Sequence, residues 1–233
     1  MGLSYGVPPG HGGPSQPTGL FIAFEGGDGG GKTTQIQRLT LWLRQQGMTP
    51  VVTREPGGTS VGLQIRQLVL HGDDLSARAE ALLFAADRAH HVDTVIRPAI
   101  EAGQIVLTDR YLDSSVAYQG AGRALASDDV LALSLWATQG LRPHLTVLLD
   151  VAPQEGRDRR MAQPDRVESE PDDFHERVRG HFVALAAADP GRYLMLDAGL
   201  PVDDLAAQVV AHVEPLVTSL RTDASRRPHG GPP

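Results

Sequence analysis

Five short apolar runs punctuate the chain, at 20–24, 50–53, 104–108, 145–150 and 193–196, and most are nearly continuous rather than alternating. Runs of that kind mark strands covered on both faces, as in a parallel sheet sandwiched by helices. Between them, apolar residues recur at helical spacing, for example Ile36, Leu39 and Leu43. This pattern predicts helices over 32–46, 60–70, 77–102 (broken near His90-His91), 127–139, 153–162, 173–187 and 202–219. Gly47, Gly103 and Gly140 stand just past three helix ends, where a left-handed cap is wanted. The alternation predicts one α/β domain over residues 19–219, with a five-stranded parallel sheet flanked by helices. Residues 1–18 are rich in Gly, Pro and Ser and predict a disordered segment, as do residues 220–233. No internal repeat is visible.

One strand–helix junction carries chemistry. Residues 26–33 read Gly-Gly-Asp-Gly-Gly-Gly-Lys-Thr, which fits G-x-x-x-x-G-K-[ST] at every fixed position. Glycines let the backbone curl until several N–H groups point inward. Lys32 adds a cation beside the β- and γ-phosphates, and the Thr33 hydroxyl suits Mg²⁺. The strand-type run Leu20–Phe24 before it and the helical periodicity after it match the context the motif requires. A merely flexible glycine turn does not explain Lys-Thr between a strand and a helix. Gly26, Gly27, Asp28, Gly29, Gly30, Gly31, Lys32, Thr33 and Thr34 are thus the candidate triphosphate-binding residues.

Composition narrows the class. The 233 residues are 41% hydrophobic and 21% charged, with a net charge of −7 and no cysteine. An acidic total argues against broad nucleic-acid binding. The lack of cysteine excludes disulfides and thiolate chemistry, and it fits a cytoplasmic protein. No apolar stretch approaches the ~20 residues of a membrane span, and no signal peptide is apparent. A GTP-dependent switch needs Asn-Lys-x-Asp, and the chain contains no asparagine. A small-molecule kinase fits better.

Four further segments support that reading: Thr53-Arg54-Glu55-Pro56-Gly57-Gly58-Thr59, Leu83-Phe84-Ala85-Ala86-Asp87-Arg88, Thr108-Asp109-Arg110-Tyr111 and Ala117-Tyr118-Gln119-Gly120. With the phosphate loop, in this order and spacing, they make residues 20–215 closely resemble the thymidylate kinases, which phosphorylate dTMP to dTDP with Mg-ATP. The resemblance implies a P-loop nucleoside-monophosphate-kinase-like fold, ATP and dTMP as substrates, Mg²⁺ as cofactor and a homodimer. The 77–102 helix is the candidate dimer face.

Phe84 and Arg88 stand four apart on one helix face, where a ring can stack on a planar base while a guanidinium donates to its carbonyl. Phe84 alone reads as core; the resemblance places the pair at the thymine. It also brings Ser115 to the base, with Gln119 a neighbouring candidate since some relatives have Asn at 115, and sets the Tyr118 ring against the sugar 2′ position. Arg66 and Arg110 are expected to hold the acceptor phosphate, helped by Arg54, and the Glu55-Pro56 loop to orient them. Asp28 is expected near the sugar 3′-hydroxyl or the metal, and Asp109 with Thr33 at the metal. Residues 155–168 carry Arg157, Arg159, Arg160 and Arg166 in a polar segment with little to bury. That is either a solvated charged face or a mobile lid over about 155–170. Some thymidylate kinases have arginine at the position of Gly29, whereas others carry catalytic arginines in the lid. The chain resembles the second, bacterial type, with Arg157, Arg159 and Arg160 as candidates and Arg166 next; spacing does not choose among them.

Overall fold

The computed structural model describes residues 19–123, 125–159 and 163–226. Residues 1–18, Arg160 and residues 227–233, all singled out from the sequence, lie outside the described residues. Five strands, β1 (Leu20–Glu25), β2 (Val51–Arg54), β3 (Ile105–Asp109), β4 (Leu145–Asp150) and β5 (Tyr193–Asp197), form a sheet ordered β2-β3-β1-β4-β5. Every pairing is parallel. β1 is central and fully buried, so both its faces carry apolar residues. The edge strands β2 and β5 leave Val52 and Met195 exposed.

Leu20, Ile22 and Phe24 of β1 point to one face and pack against Ile36, Leu39 and Leu43 of α1 (Lys32–Gln45) and Leu205, Val209 and Val213 of α9 (Val202–Arg226). Phe21 and Ala23 point to the other face, towards Val92, Ile96 and Ile100. The period of two in β1 meets the 3.6 period in its covering helices, which locks the register of the central strand.

The predicted break near His90-His91 takes the form of a change in helix type, not an end to the helical path. Helix α3 (Ala77–His91) passes through a π turn, Val92–Ile96, directly into α4 (Arg97–Glu101). Pro98 has no N–H to donate and crowds the preceding turn, and the widened turn just ahead of it carries the chain past without ending the helix. The expected caps are present: Gly47, Gly103 and Gly140 have φ of 77°, 77° and 74°. Two boundaries are corrected. Helix α7 spans only Pro153–Asp158, and α9 runs to Arg226, so residues 220–226 are helical rather than part of a tail. Helices α2 (Ser60–His71), α6 (Ser127–Thr138) and α8 (Asp172–Ala188) match the periodicity closely. One helical stretch was not predicted: α5 (Leu112–Ser115), continuing as a π-type segment Val116–Gly122. Among the described residues no helix is long and apolar enough to cross a membrane.

Candidate active site

The chain leaves β1 at Glu25 and turns at once into the loop Gly26–Gly31, at the carboxyl end of the sheet where connections diverge to either side. Such a switch point is where open α/β sheets bind ligands. Gly26, Gly29 and Gly31 have φ of 126°, 76° and 86°, a region that strains any side chain. Gly31 caps α1 without a side chain, and the residues of that first turn line an open cleft, which makes an anion site of a helix start. Lys32 Nζ folds beneath the loop and donates to the carbonyls of Gly26 and Gly27, both at 2.9 Å. Burial and then the charge of Arg110 lower its pKa, against Asp28, Asp109 and Glu25. Thr33 Oγ1 donates to Asp109 Oδ2 at 2.9 Å, joining the start of α1 to the end of β3. A hydroxyl and a carboxylate side by side are hard oxygen donors that fit Mg²⁺, which takes few protein ligands and completes its shell with phosphate and water.

Arg110 follows β3 with φ 68°, unusual for a residue bearing a side chain. The strain is held by Arg110 N donating to Phe24 O at 2.9 Å and by Thr108 Oγ1 donating to Arg110 O at 2.9 Å. Its guanidinium is thereby turned back over the loop. It donates to Asp28 Oδ1 at 2.5 Å, Gly26 O at 3.2 Å and Ser114 Oγ at 3.1 Å, and it lies 5.0 Å from the centroid of the Tyr118 ring. Tyr118 OH donates to Asp28 Oδ2 at 3.1 Å, so this ring is sandwiched beneath the arginine with Phe174 and Phe182 on its other sides. Arg66 Nη1 donates to Pro56 O at 3.0 Å, across the cis Glu55-Pro56 bond. Exposed Arg54 stands at the rim of the phosphate-loop cleft.

Phe84 and Arg88 do share a face of α3, and both line a cavity beside that cleft. Phe84 is half-buried, packed against the core cluster around Tyr118 and Phe174 while lining the cavity. Arg88 is 1% exposed. Its Nε donates to Glu55 Oε2 at 2.8 Å, its Nη1 to Ser115 Oγ at 3.0 Å and Ser134 Oγ at 3.2 Å, and its Nη2 to Tyr111 O at 3.1 Å. Four of its five N–H groups are thus engaged. Ser115 backs the arginine, and Gln119 lines the cavity at its side. Asp28, Glu55, Arg66 and Arg110 line both this cavity and the cleft over Lys32 and Thr33. Two hollows of different character therefore meet at a pair of arginines.

Among the described residues, the arginines expected in the lid are not brought together. Arg159 lines the phosphate-loop cleft, with Nη1 donating to Ala198 O at 2.8 Å and Nη2 paired with Glu155. Arg157 lines a small hollow behind the loop with Gly27, Asp28, Tyr118 and His175, and pairs with Asp172 at 2.7 Å. Arg166 is tied down by Val69 O and Glu80. The loop touches α7 backbone to backbone: a Cβ on Gly29 would stand 2.1 Å from Gly156 O.

Sequence reasoning missed the support beneath these groups. Glu25, fully buried, accepts from Tyr111 N at 2.8 Å and from Ser114 Oγ at 2.5 Å, and so fixes the hydroxyl that meets Arg110. His91 Nδ1 donates to Glu55 Oε1 at 2.9 Å and its Nε2 meets Thr53 Oγ1 at 2.6 Å. A carboxylate ending a buried strand, and a histidine one turn past Arg88, were the available signals.

Residues 24–209 match the family model described as thymidylate kinase. The chain is 56% identical over 206 residues to the thymidylate kinase of Clavibacter sepedonicus, covering 87% of this chain and 98% of that protein. It is 55% identical over 200 residues to that of Leifsonia xyli, covering 84% and 95%. Over 196 residues it is 50% identical to that of a Synechococcus species, again covering 84% and 95%.

Proposed function

The chain belongs to the thymidylate kinase family, and from that premise we propose that it transfers the γ-phosphoryl group of ATP to dTMP, giving ADP and dTDP. One observation carries the reading: the phosphate-loop cleft and the cavity walled by Phe84 and Arg88 share Arg66 and Arg110 at their junction. A triphosphate in the cleft and a nucleoside monophosphate in the cavity present their phosphates to one another there.

The acceptor oxygen belongs to a phosphomonoester, whose second pKa is near ~6, so it is largely ionised at neutral pH and needs no general base. That oxygen forms the new bond to the γ-phosphorus as the β–γ bridging bond breaks. The protein's task is to position two anions and neutralise their charge. Lys32 exchanges the Gly26 and Gly27 carbonyls for β- and γ-phosphate oxygens. Arg110 and Arg66 hold the acceptor phosphate. Thr33 and Asp109 hold Mg²⁺, which supplies neutralisation of the phosphate charge when bound. Phe84 stacks on the thymine, the free N–H of Arg88 reaches a base carbonyl, and Gln119 with Ser115 flanks the base. Arg159 approaches the triphosphate from the lid.

A homodimer is supported by Leu82 on α3 and Trp136 on α6, which are 58% and 79% exposed on neighbouring helices. Light scattering in solution tests it. ATP and dTMP as substrates fit a cytoplasmic enzyme, acting without nucleic acid or membrane.

The direct test is turnover with dTMP, thymidine, UMP and AMP, alongside Lys32→Ala. Preferred turnover of dTMP, and loss of kcat by on the order of 10²–10³ in a folded Lys32→Ala protein, are expected. Equal use of thymidine would overturn the assignment of Arg66 and Arg110.

A further inference from the structure

Glu80 of α3 is a buried carboxylate that the phosphoryl-transfer scheme above does not use. Its side chain is 1% exposed. Oε1 accepts from Gln119 Nε2 at 3.0 Å and Arg123 Nε at 3.2 Å, and Oε2 accepts from Arg123 Nη2 at 3.1 Å and Arg166 Nη2 at 2.5 Å. Four donors fill the acceptor capacity of a carboxylate. Arg123 also pairs with Glu170, so two guanidiniums balance two carboxylates, as burial of charge requires.

The consequence falls on Gln119. A carboxylate only accepts, so Gln119 must turn its NH₂ towards Glu80, and its carbonyl oxygen is left for the cavity that Gln119 lines. A second consequence falls on the lid. Arg166 uses Nε and Nη2 on Val69 O, at 3.0 and 2.7 Å, and its backbone N on Leu70 O at 3.1 Å. These carbonyls belong to the last turn of α2, where helices leave acceptors unpaired. The same anchor seats Val167 and Glu168 on the cavity wall.

We propose that Glu80 is a positioning residue that fixes the hydrogen-bonding polarity of the base cavity, presenting the Gln119 oxygen as an acceptor near the donor Arg88. That pattern takes a pyrimidine with a ring N–H beside a carbonyl and opposes one with a bare ring nitrogen beside an exocyclic amine. The inference rests on reading the cavity as the base site.

Glu80→Gln exchanges one acceptor for a donor while keeping the volume. Its amide oxygen belongs on the side where Arg123 Nη2 and Arg166 Nη2 both donate, at 3.1 and 2.5 Å, against the single, longer charged donor Arg123 Nε on the other, so its NH₂ faces Gln119 and Gln119 must reverse. The ratio of kcat/KM for dTMP over dCMP is expected to fall about tenfold or more, with KM for ATP unchanged, as befits an acceptor replaced by a donor in a buried site. The paired variant Glu80→Gln with Arg123→Gln removes one charge of each sign, guarding against misfolding, and is expected to show the same fall. An unchanged ratio in both variants, with Phe84→Ala still raising KM for dTMP, overturns the role of Glu80 and leaves the cavity reading standing. If Phe84→Ala and both Glu80 variants all leave the dTMP kinetics unmoved, the cavity reading falls and this inference with it.

Discussion

Asp28 and Arg110 meet at 2.5 Å, Oδ1 to Nη2, while the second oxygen of Asp28 accepts from Tyr118 OH at 3.1 Å. The acidic residue of the phosphate loop is therefore the partner that aims the arginine at the junction of the two hollows. Asp28 sits in an environment whose burial alone would raise its pKa, but Arg110 and then Lys32 outweigh burial and hold the carboxyl at about 2, below its ordinary 3.8. A pKa lowered by folding contributes stability in full above the unfolded value and loses it as pH falls through the folded one. The contribution is on the order of 2 kcal/mol. Asp28→Asn is expected to melt below wild type near neutral pH, with the gap closing as pH falls from about 4 to about 2. A gap that stays constant over that window would show that the pair does not set the ionisation of Asp28.

The contact between Gly29 and Gly156 makes a second claim. A Cβ on Gly29 would stand 2.1 Å from Gly156 O, and one on Gly156 2.2 Å from Asp28 O. Both obstacles are backbone and cannot swing aside. Gly29 also has φ 76°. Gly29→Ala should therefore destabilise the protein by roughly 1–3 kcal/mol and raise KM for ATP, because the loop must part from α7. Thermal melting and steady-state kinetics check it. A variant that melts with wild type would mean the approach is looser than the geometry implies.

The sheet was legible because β1, β3 and β4 are buried on both faces, and continuous apolar runs of strand length admit few other readings. The phosphate loop was legible because its glycines and Lys32 answer a backbone requirement rather than a packing one. Helix 112–122 was hidden: Ser114, Ser115, Gly120 and Gly122 dilute its pattern, and its π-type turn departs from the 3.6 period. Glu25 and Glu80 were hidden for another reason. A buried carboxylate is recognised by its donors, and those come from residues 89 and 43 positions away. Arg157, Arg159 and Arg166 stood out in the sequence as a set but not as individuals, since the hollow each one lines depends on the fold.

Glu25 predicts a pH dependence of opposite sign to that of Asp28. Burial, and then the charge of Asp113, push its carboxyl up to about 7, against the bonds from Ser114 and Tyr111 and the charge of Arg110. A carboxyl whose pKa is raised by folding stabilises the native state below its unfolded value and loses that contribution as pH rises through the folded one. Glu25→Gln, which resembles the protonated acid, should therefore gain on wild type in melting temperature as pH rises from about 5 to about 8. If the difference between the two proteins is flat over that range, Glu25 is not the titrating group.

The lid gives the sharpest separation. Arg159 faces the phosphate-loop cleft, and its present partners, the Ala198 carbonyl and half-exposed Glu155, are ones it can leave. Arg157 sits over another hollow, held by Asp172 and by Gln154 Oε1 at 2.9 Å. Arg166 is committed to Val69 O and Glu80. A group that meets charge developing between the β- and γ-phosphates lowers kcat when removed and leaves each KM nearly unchanged. Arg159→Ala is expected to do this, by on the order of 10²–10³. Arg157→Ala should stay close to wild type. Arg166→Ala should raise KM for dTMP instead, because it releases the wall of the acceptor cavity. Steady-state kinetics of the three variants decide the matter. Equal and mild effects in all three would remove Arg157, Arg159 and Arg166 from the bridging oxygen, and its charge would then have to be met by Lys32, Arg110, Mg²⁺ or Arg160.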